Sequence, residues 1–292
     1  MEPWVLVSIA AAAVQTVRFV LQKRLSQAGL GPAAATYARF AFSAPFIFAA
    51  ALALAADRGV PEMSTAFWLW ALVGGAAQIG ATMAVVALFT RRAFAVGIAL
   101  KKTEVLQTAL VGWLILGDRV TPGAAAALTV GFVAILLLTA PPRGRPAGGG
   151  VALGLLSGAL FAVSAVGYRA ATLELPDGGA FWRALWTLAM VTSAQALAMT
   201  LWFSLDRKGA IGATFARWRI AGLVGITSAL GSLCWFIAFA LQNAAYVFAV
   251  GQVELIFSVL ASSRAFGEGL TSREIAGMTL LTASVVAIVF LA

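Results

Sequence analysis

The sequence contains no histidine and only one cysteine, Cys234. Histidine is the usual axial haem ligand and a common zinc ligand, so its absence argues against a haem or zinc enzyme. A single cysteine excludes an intramolecular disulfide, and because Cys234 lies within an apolar run we interpret it as a small buried residue. The sequence therefore predicts no cofactor and no metal site.

Charged residues are also scarce. They make up 11% of the 292 residues, whereas 62% are hydrophobic and the mean hydropathy is +0.96. An ordinary soluble domain has about 25% charged residues. Apolar runs of about 20 residues, which is the length that crosses a hydrocarbon core of about 30 Å, recur along the whole chain. These features predict an all-α, multi-pass protein of a cell membrane, and we expect the bacterial inner membrane.

Hydropathy and helix-breaking residues predict ten spans. They lie near residues 4–22, 33–56, 66–90, 94–116, 121–140, 151–171, 180–204, 216–240, 245–263 and 271–292. Pro45 falls within a predicted span, where it removes a backbone hydrogen bond and should kink the helix. The longest polar break is 141–150, which predicts a linker between a first half, 1–140, and a second half, 151–292.

The two halves of the sequence resemble each other. A shift of 150 residues aligns Glu104 with Glu254, Thr108 with Ser258, Leu110 with Leu260, Gly117 with Gly267, Asp118 with Glu268, and Thr121 with Thr271. Arg39 in the second span and Arg183 in the seventh correspond at a slightly different offset. Because five spans per half is an odd number, the second half should enter the membrane with the opposite orientation. The sequence thus predicts two inverted five-helix repeats.

Basic residues between the predicted spans fall mainly on one side of the membrane. Only Arg58 and Arg119 lie on the other side. Under the positive-inside rule, the basic side is cytoplasmic and both termini lie outside the cytoplasm. Because these residues are spread singly or in pairs, we expect no nucleic-acid partner. The residues on the basic side are Lys23, Arg24, Arg91, Arg92, Arg143, Arg145, Arg207, Lys208, Arg217, Arg219, Arg264 and Arg273.

Two short segments resemble the Gly-Glu-x-x-Thr step of EamA-type carriers: Gly117-Asp118-Arg119-Val120-Thr121 and Gly267-Glu268-Gly269-Leu270-Thr271. Together with the ten spans and the duplicated halves, they make the chain similar over essentially its whole length to the drug/metabolite transporter superfamily. The resemblance implies two EamA-like five-helix repeats and transport of amino acids, metabolites, sugars or drugs. It also implies cytoplasmic termini, which is the opposite of the orientation that the charge count indicates.

Two of the predicted spans hold ionisable residues two to three turns from their ends and at matched depths, where a charge costs about 2.5 to 3.5 kcal/mol on insertion scales. The fourth span holds Lys101, Lys102 and Glu104, and the ninth holds Gln252 and Glu254 at the corresponding depth. We expect these residues to line a central solute path between the halves. The alternative is that Lys101 and Glu104 pair and only hold helices together. Adjacent lysines point about 100° apart, so at most one should face the cavity centre.

Six further residues in or next to spans are candidates for binding a solute: Gln15, Arg18, Gln78, Trp235, Gln242 and Asn243. The alternative for the polar ones is that they hydrogen-bond neighbouring helices. Arg39 lies near a predicted span end, so it either snorkels to the interface or has a function.

The two glutamates differ in their neighbours along the chain. Glu104 has two lysines on its own span, whereas Glu254 has Gly251 and Gln252 in the equivalent places. A nearby ammonium group favours the charged form of a carboxylate, so Glu254 is the better candidate for a proton-coupling group. A lysine that reaches Glu254 across the cavity removes this difference.

These observations predict a secondary transporter for a small polar or amphipathic solute, such as an amino-acid-like metabolite. The sequence has no P-loop, so the energy comes from proton coupling or from exchange. It also lacks a Gly-x-Ser-x-Gly motif and paired aspartates, which argues against an enzyme. A flippase for a lipid-linked intermediate is the closest alternative, and a passive channel is the next. The expected partners are the solute and membrane lipids, and the expected state is a monomer or homodimer.

Overall fold

The computed structural model describes residues 2–89, 101–139, 150–176, 178–206, 209–266 and 272–291. These ranges contain α-helices, one 3-10 turn at Gly251–Val253 and connecting turns, and no strand. The helices are α1 Pro3–Gln27, α2 Pro32–Ala41, α3 Ala44–Arg58, α4 Thr65–Phe89, α5 Glu104–Leu116, α6 Pro122–Thr139, α7 Gly150–Glu174, α8 Ala180–Asp206, α9 Ala210–Ala216, α10 Trp218–Leu241, α11 Ala244–Val250, α12 Glu254–Phe266 and α13 Ser272–Leu291.

Seven helical segments of the described residues are long and apolar enough to cross a membrane. This is consistent with an all-α membrane protein. The other three predicted spans coincide with shorter apolar helices, Glu104–Leu116, Pro122–Ala134 and Ile275–Leu291. The first part of the predicted span 94–116 and nearly all of the predicted linker 141–150 lie outside the described residues.

The second predicted span is broken where the sequence predicts a kink. Helix α2 ends at Ala41, α3 begins at Ala44, and Pro45 lies in the first turn of α3. A proline is tolerated there because the first N–H groups of a helix have no partner within that helix. The break gives the two parts of this span different neighbours, since α2 packs on α4 and α10 whereas α3 packs mainly on α8.

Two half-helices begin at the matched glutamates. Helix α5 begins at Glu104 after a turn, and α12 begins at Glu254 after the 3-10 turn, and each has 13 residues. The sequence shift of 150 residues therefore aligns helix boundaries as well as residue types. Each carboxylate thus lies in the first turn of its half-helix, where the helix dipole favours a negative charge.

Helices from the two halves of the chain interleave. Helix α4 packs along α7, α1 packs along α10, and α6 packs on α13. Gly158 allows α7 to approach the start of α5, because a Cβ there would lie 3.1 Å from the backbone nitrogen of Glu104 and from the carbonyl oxygen of Lys101. Small residues permit this close packing of apolar helices. The interleaving brings the starts of α5 and α12 together in the interior.

Candidate functional site

Four ionisable side chains from the starts of α5 and α12 meet in the interior. The Lys101 Nζ lies 3.0 Å from Glu104 Oε1 and 3.3 Å from Glu254 Oε2. The Lys102 Nζ lies 3.5 Å and 2.6 Å from the same two oxygens, and it also donates to the Gly251 carbonyl at 3.0 Å. All four side chains are buried. Each lysine therefore bridges a carboxylate of the first half and a carboxylate of the second half, and we call this set the central charge cluster.

Helix α1 contributes a glutamine and an arginine to the edge of the central charge cluster. The Gln15 Nε2 donates to both oxygens of Glu254 at 3.1 Å. The Gln15 Oε1 accepts from Trp235 Nε1 at 3.1 Å and from Arg18 Nη2 at 2.9 Å. Arg18 is 2% exposed, and its Nη1 is buried without a hydrogen-bond partner among the residues that the structure describes. Gln15 thus connects a carboxylate, an indole and a buried guanidinium.

Arg39 of α2 is a second buried guanidinium. It donates to Ser228 Oγ at 2.9 Å, to Thr82 Oγ1 at 3.0 Å and to Ser232 Oγ at 3.1 Å. It is 3% exposed, so it does not snorkel to the interface, and of the two alternatives for this residue the structure excludes that one. Within the described part of the chain, its hydrogen-bond partners are three neutral hydroxyl groups.

A cavity of about 20 Å³ lies beside the central charge cluster. This is room for about one water molecule, so a solute binds here only when the wall opens. The polar part of its wall comes from Gln15, Gln78, Lys101, Ser164 and Ser232. Lys102 is not part of the wall, so one of the two adjacent lysines faces the cavity, in agreement with the 100° between them.

Aromatic rings from α7, α10 and α11 form most of the remaining wall. The rings of Trp235 and Phe239 stack at 6.1 Å, and Phe248 meets both edge-on at 5.4 and 5.5 Å. The other aromatic wall residues are Phe161, Tyr168 and Phe236. Gly251 packs directly under the Trp235 ring, and a Cβ at this position would overlap the ring. Because Gly251 has no side chain, the 3-10 turn can pack directly against the aromatic wall.

A separate polar network holds the wall on the side of α4, α7 and α8. The Tyr168 hydroxyl donates to Gln78 Oε1 at 3.0 Å. The Gln195 Nε2 donates to the Gly75 carbonyl at 2.9 Å and lies 3.2 Å from both Gln78 Oε1 and the Tyr168 hydroxyl. Gln78 thus lines the cavity, and its carbonyl oxygen also joins three helices.

An ion pair joins the halves at one end of α7. The Arg169 Nε donates to Asp118 Oδ2 at 3.0 Å, and both side chains are mostly buried, with 15% and 17% exposed. The Arg169 Nη1 donates to the carbonyls of Phe239 and Gln242 at 2.8 Å. Because Phe239 also lines the cavity, this arginine fastens the segment after α5 to the aromatic wall.

The first copy of the Gly-Asp-x-x-Thr segment makes these contacts between the halves. Gly117 ends α5 with φ 68°, a left-handed conformation that glycine adopts without strain. The Thr121 backbone N–H donates to the Tyr246 hydroxyl at 3.1 Å. The second copy, 267–271, lies outside the described residues.

Seven predicted site residues are not among those that line the cavity. Lys102, Glu104 and Glu254 belong to the central charge cluster and Arg18 lies at its edge, whereas Gln242, Asn243 and Gln252 lie elsewhere. The Asn243 Oδ1 accepts from the Ala245 backbone nitrogen at 2.9 Å and so caps the start of α11. The Gln252 side chain lies towards α6, with its Oε1 next to Gly131 and without a hydrogen-bond partner among the described residues. Gln252 is in the 3-10 turn, and the turn directs its side chain away from the carboxylates.

The expected difference between the two glutamates is not found. Lys101 and Lys102 both contact Glu254 as well as Glu104. The lysines belong to the first half of the chain, but the interleaved packing brings Glu254 to them. Glu254 therefore has as many ammonium neighbours as Glu104. The sequence spacing that favoured Glu254 as the proton-coupling group thus no longer distinguishes the two residues.

The aromatic wall was not predicted beyond Trp235. Phe161, Tyr168, Phe236 and Phe248 occur in apolar runs, where an aromatic residue that lines a cavity has the same sequence signature as one in a packed core. Arg18 did carry a signal, since an arginine within a span faces the interior or a wet cavity. Its depth and its unpartnered nitrogen depend on the packing of α1.

The fold is similar to that of solved structures. One of 22 matching chains, described only as "Crystal structure of protein", superposes with a TM-score of 0.74, is 16% identical, and covers 100% of this chain and 97% of its own length. At this identity the likeness shows the fold alone. No family model and no curated protein matches the sequence.

Proposed function

We propose that the protein is a secondary transporter that moves a small organic solute across a cell membrane by alternating access. The observation that carries this proposal is the central charge cluster beside a cavity, at the starts of α5 and α12. Buried charges within membrane spans are costly and mark solute and ion paths. Broken helices whose ends converge on one site are a recurring way in which secondary transporters bind their solute.

The proposal includes ten spans arranged as two inverted five-helix repeats. The packing of the helices supports this arrangement. If each helix of the first half is exchanged for its counterpart in the second, the α4–α7 contact becomes the α10–α1 contact, and the α5–α7 contact becomes the α12–α1 contact. The α6–α13 contact maps onto itself. Such exchange is the property of a pseudo-twofold axis, and alternating access moves one repeat against the other about the site on that axis.

We further propose that the protein is a carrier of the drug/metabolite transporter type and not an enzyme. The basis is the Gly117–Thr121 segment, its matched segment 267–271 and the duplicated halves. The partners of the protein are then its solute and the surrounding lipid, and its energy comes from exchange or from an ion gradient.

Solute counterflow in proteoliposomes tests the proposal. Purified protein is reconstituted with a panel of unlabelled solutes inside, and uptake of the labelled solute is measured over a range of concentrations. A carrier gives saturable uptake that internal solute accelerates, and Lys101→Gln should reduce it strongly. Arg219→Gln is the matched control, because Arg219 is exposed at the start of α10.

Two other outcomes would replace the proposal. Uptake that rises linearly with concentration, without stimulation by internal solute, indicates a channel. Scrambling of a labelled polyprenyl phosphate, with no uptake of any water-soluble solute, indicates a flippase.

Proton coupling is tested on the same preparation. Glu254→Gln should keep exchange and lose the response to a pH gradient if Glu254 carries the proton, and Glu104→Gln is the matched variant from the other half of the chain. An equal loss in both variants assigns the coupling to the central charge cluster as a whole. A full response in Glu254→Gln removes this residue from the coupling step.

A further inference from the structure

The buried core around the cavity has more positive charges than carboxylates. Next to the cavity wall the buried cations are Arg18, Arg39, Lys101 and Lys102, whereas Glu104 and Glu254 are the buried carboxylates of the described residues. Lys23 is a further buried cation, but it lies beside a different pocket. Lys101 and Lys102 share the two carboxylates. The two guanidinium groups are therefore left without a carboxylate hydrogen-bond partner in this part of the chain.

Arg18 is close enough to Arg39 to be repelled by it and close enough to Glu254 to be attracted by that carboxylate. A buried charge without an opposite charge is costly, and this cost is normally met by pairing. Arg39 has only hydroxyl groups as hydrogen-bond partners among the described residues, and Arg18 Nη1 has none. Neither guanidinium therefore has a carboxylate within hydrogen-bond distance among the described residues, and four cations share the charge of two carboxylates.

Both guanidinium groups contact residues that line the cavity. Arg18 donates to Gln15 and Arg39 donates to Ser232, and Gln15 and Ser232 belong to the cavity wall. Lys101 belongs to the wall itself. An anionic oxygen in this part of the cavity thus needs to displace or join only one neutral side chain to reach either arginine. A guanidinium is well suited to this task, because its planar donors match carboxylate and phosphate oxygens.

The aromatic part of the wall has a different chemistry. Trp235, Phe236, Phe239 and Phe248 present rings, and their described hydrogen bonds include one side-chain donor, the Trp235 N–H, which is used by Gln15. This surface suits an apolar or aromatic group. The wall thus has a polar part, with Lys101 in it and two arginines behind it, and an aromatic part, which matches a solute with an anionic head and an apolar body.

We propose that the solute of this cavity is an organic anion whose carboxylate or phosphate group binds Arg18, Arg39 and Lys101 while its apolar body packs on the aromatic wall. This inference rests on the proposed transport function, because it names the class of solute that the proposed transporter binds. The anion supplies the negative charge that the core lacks, and the aromatic wall supplies the contact area. A cationic solute of the same shape adds a charge of the sign already in excess.

Binding to the purified protein in detergent tests the inference with matched probes. Phenylacetate, phenylacetamide and 2-phenylethylamine share a ring and differ in charge, and phenyl phosphate and inorganic phosphate extend the series. Melting temperature and calorimetric Kd are measured at constant ionic strength. Phenylacetate or phenyl phosphate should raise the melting temperature and bind at least about tenfold more tightly than the amide, which corresponds to about 1.4 kcal/mol.

Three results with the wild-type protein would overturn the inference. They are equal or tighter binding of the amide or the amine, no response to any anionic probe, and equal binding of inorganic phosphate and phenyl phosphate. The last result would show an inorganic anion site without a role for the aromatic wall. None of these results depends on the folding of a variant.

Substitutions then assign the binding to the two arginines. Arg18→Gln and Arg39→Gln should each weaken the anionic probe by about tenfold or more while leaving the amide unchanged. Arg219→Gln, an exposed arginine on α10, should leave both probes unchanged. If Arg39→Gln does not fold, Arg18→Gln and Arg18→Lys provide the comparison, and an unchanged anion affinity in both overturns the role of Arg18.

The inference and the transport proposal fail in different experiments. Binding of organic anions without flux in proteoliposomes would remove the transport proposal and leave the anion site standing. Saturable flux of cations or neutral solutes, together with no binding of the anionic probes, would do the reverse.

Discussion

Lys102 and Glu254 form the shortest ion pair of the central charge cluster, with 2.6 Å between Nζ and Oε2. Lys102 lies just before α5 in the first half of the chain, and Glu254 begins α12 in the second. Because both side chains are fully buried, neither charge is compensated by water. These two buried charges are therefore paired only when the two halves of the chain pack together.

The first prediction concerns this pair. Glu254→Gln leaves Lys101 and Lys102 with one carboxylate, and breaking a buried pair in this way should lower the free energy of unfolding by about 3 to 5 kcal/mol. Thermal and denaturant unfolding in detergent measure the change. The double variant Lys102→Gln/Glu254→Gln should cost less than the sum of the single variants, because residues in contact are not additive. Additive costs would mean that the two charges do not interact.

The second prediction concerns Gly251. Gly251→Ala places a methyl group against the Trp235 ring, and such overpacking should destabilise the protein by about 1 to 3 kcal/mol and displace the ring from the cavity wall. Melting temperature and probe affinity measure the two effects. Gly212→Ala is the control, because a Cβ at Gly212 has no neighbour within 4 Å. Equal melting temperatures of the two variants would contradict this account of the 3-10 turn.

The third prediction concerns the ion pair between Asp118 and Arg169. We expect it to hold the aromatic-wall end of the cavity closed, and Asp118→Asn should favour opening by about 1 kcal/mol, or about fivefold in the open population. Cysteine introduced at Ser164 in a Cys234→Ala background reports access to the cavity, because Ser164 is part of the wall. Its alkylation rate should rise in Asp118→Asn.

Arg58→Gln is the control for the ion pair between Asp118 and Arg169. Arg58 donates to the Gly178 carbonyl at 3.1 Å and is exposed. Its loss removes an arginine contact between the halves without touching the ion pair or the wall. If Arg58→Gln raises the alkylation rate at position 164 as much as Asp118→Asn, the ion pair has no specific role in closure.

The fourth prediction concerns orientation. The excess of basic residues on one side places the segment 141–150 in the cytoplasm. In a Cys234→Ala background, cysteine at Arg143 should resist an impermeant thiol reagent added outside intact cells, whereas cysteine at Glu62, which is exposed, should react. The opposite pattern would give the cytoplasmic termini that the family resemblance implies.

Much of the helical organisation was predictable from sequence. Apolar runs of span length give a strong hydropathy signal. Glu104 and Glu254, which match under a shift of 150 residues, are also the first residues of α5 and α12. The kink near Pro45 was predictable as well, because a proline removes a backbone hydrogen bond wherever it stands. The 3-10 turn at Gly251–Val253 was not predictable, since it contains no proline and glycine is common in membrane-spanning helices.

The sequence by itself determined that this chain consists of apolar helices with a few ionisable residues at matched depths, because length, hydropathy and charge are properties of each segment alone. Only the tertiary structure decided which charges meet. Lys102 contacts Glu254 as well as Glu104, Asn243 caps a helix, and Arg39 is buried among hydroxyl groups. These outcomes depend on the rotation and crossing of helices far apart in the chain, since a hydrogen bond forms or fails within a few ångströms.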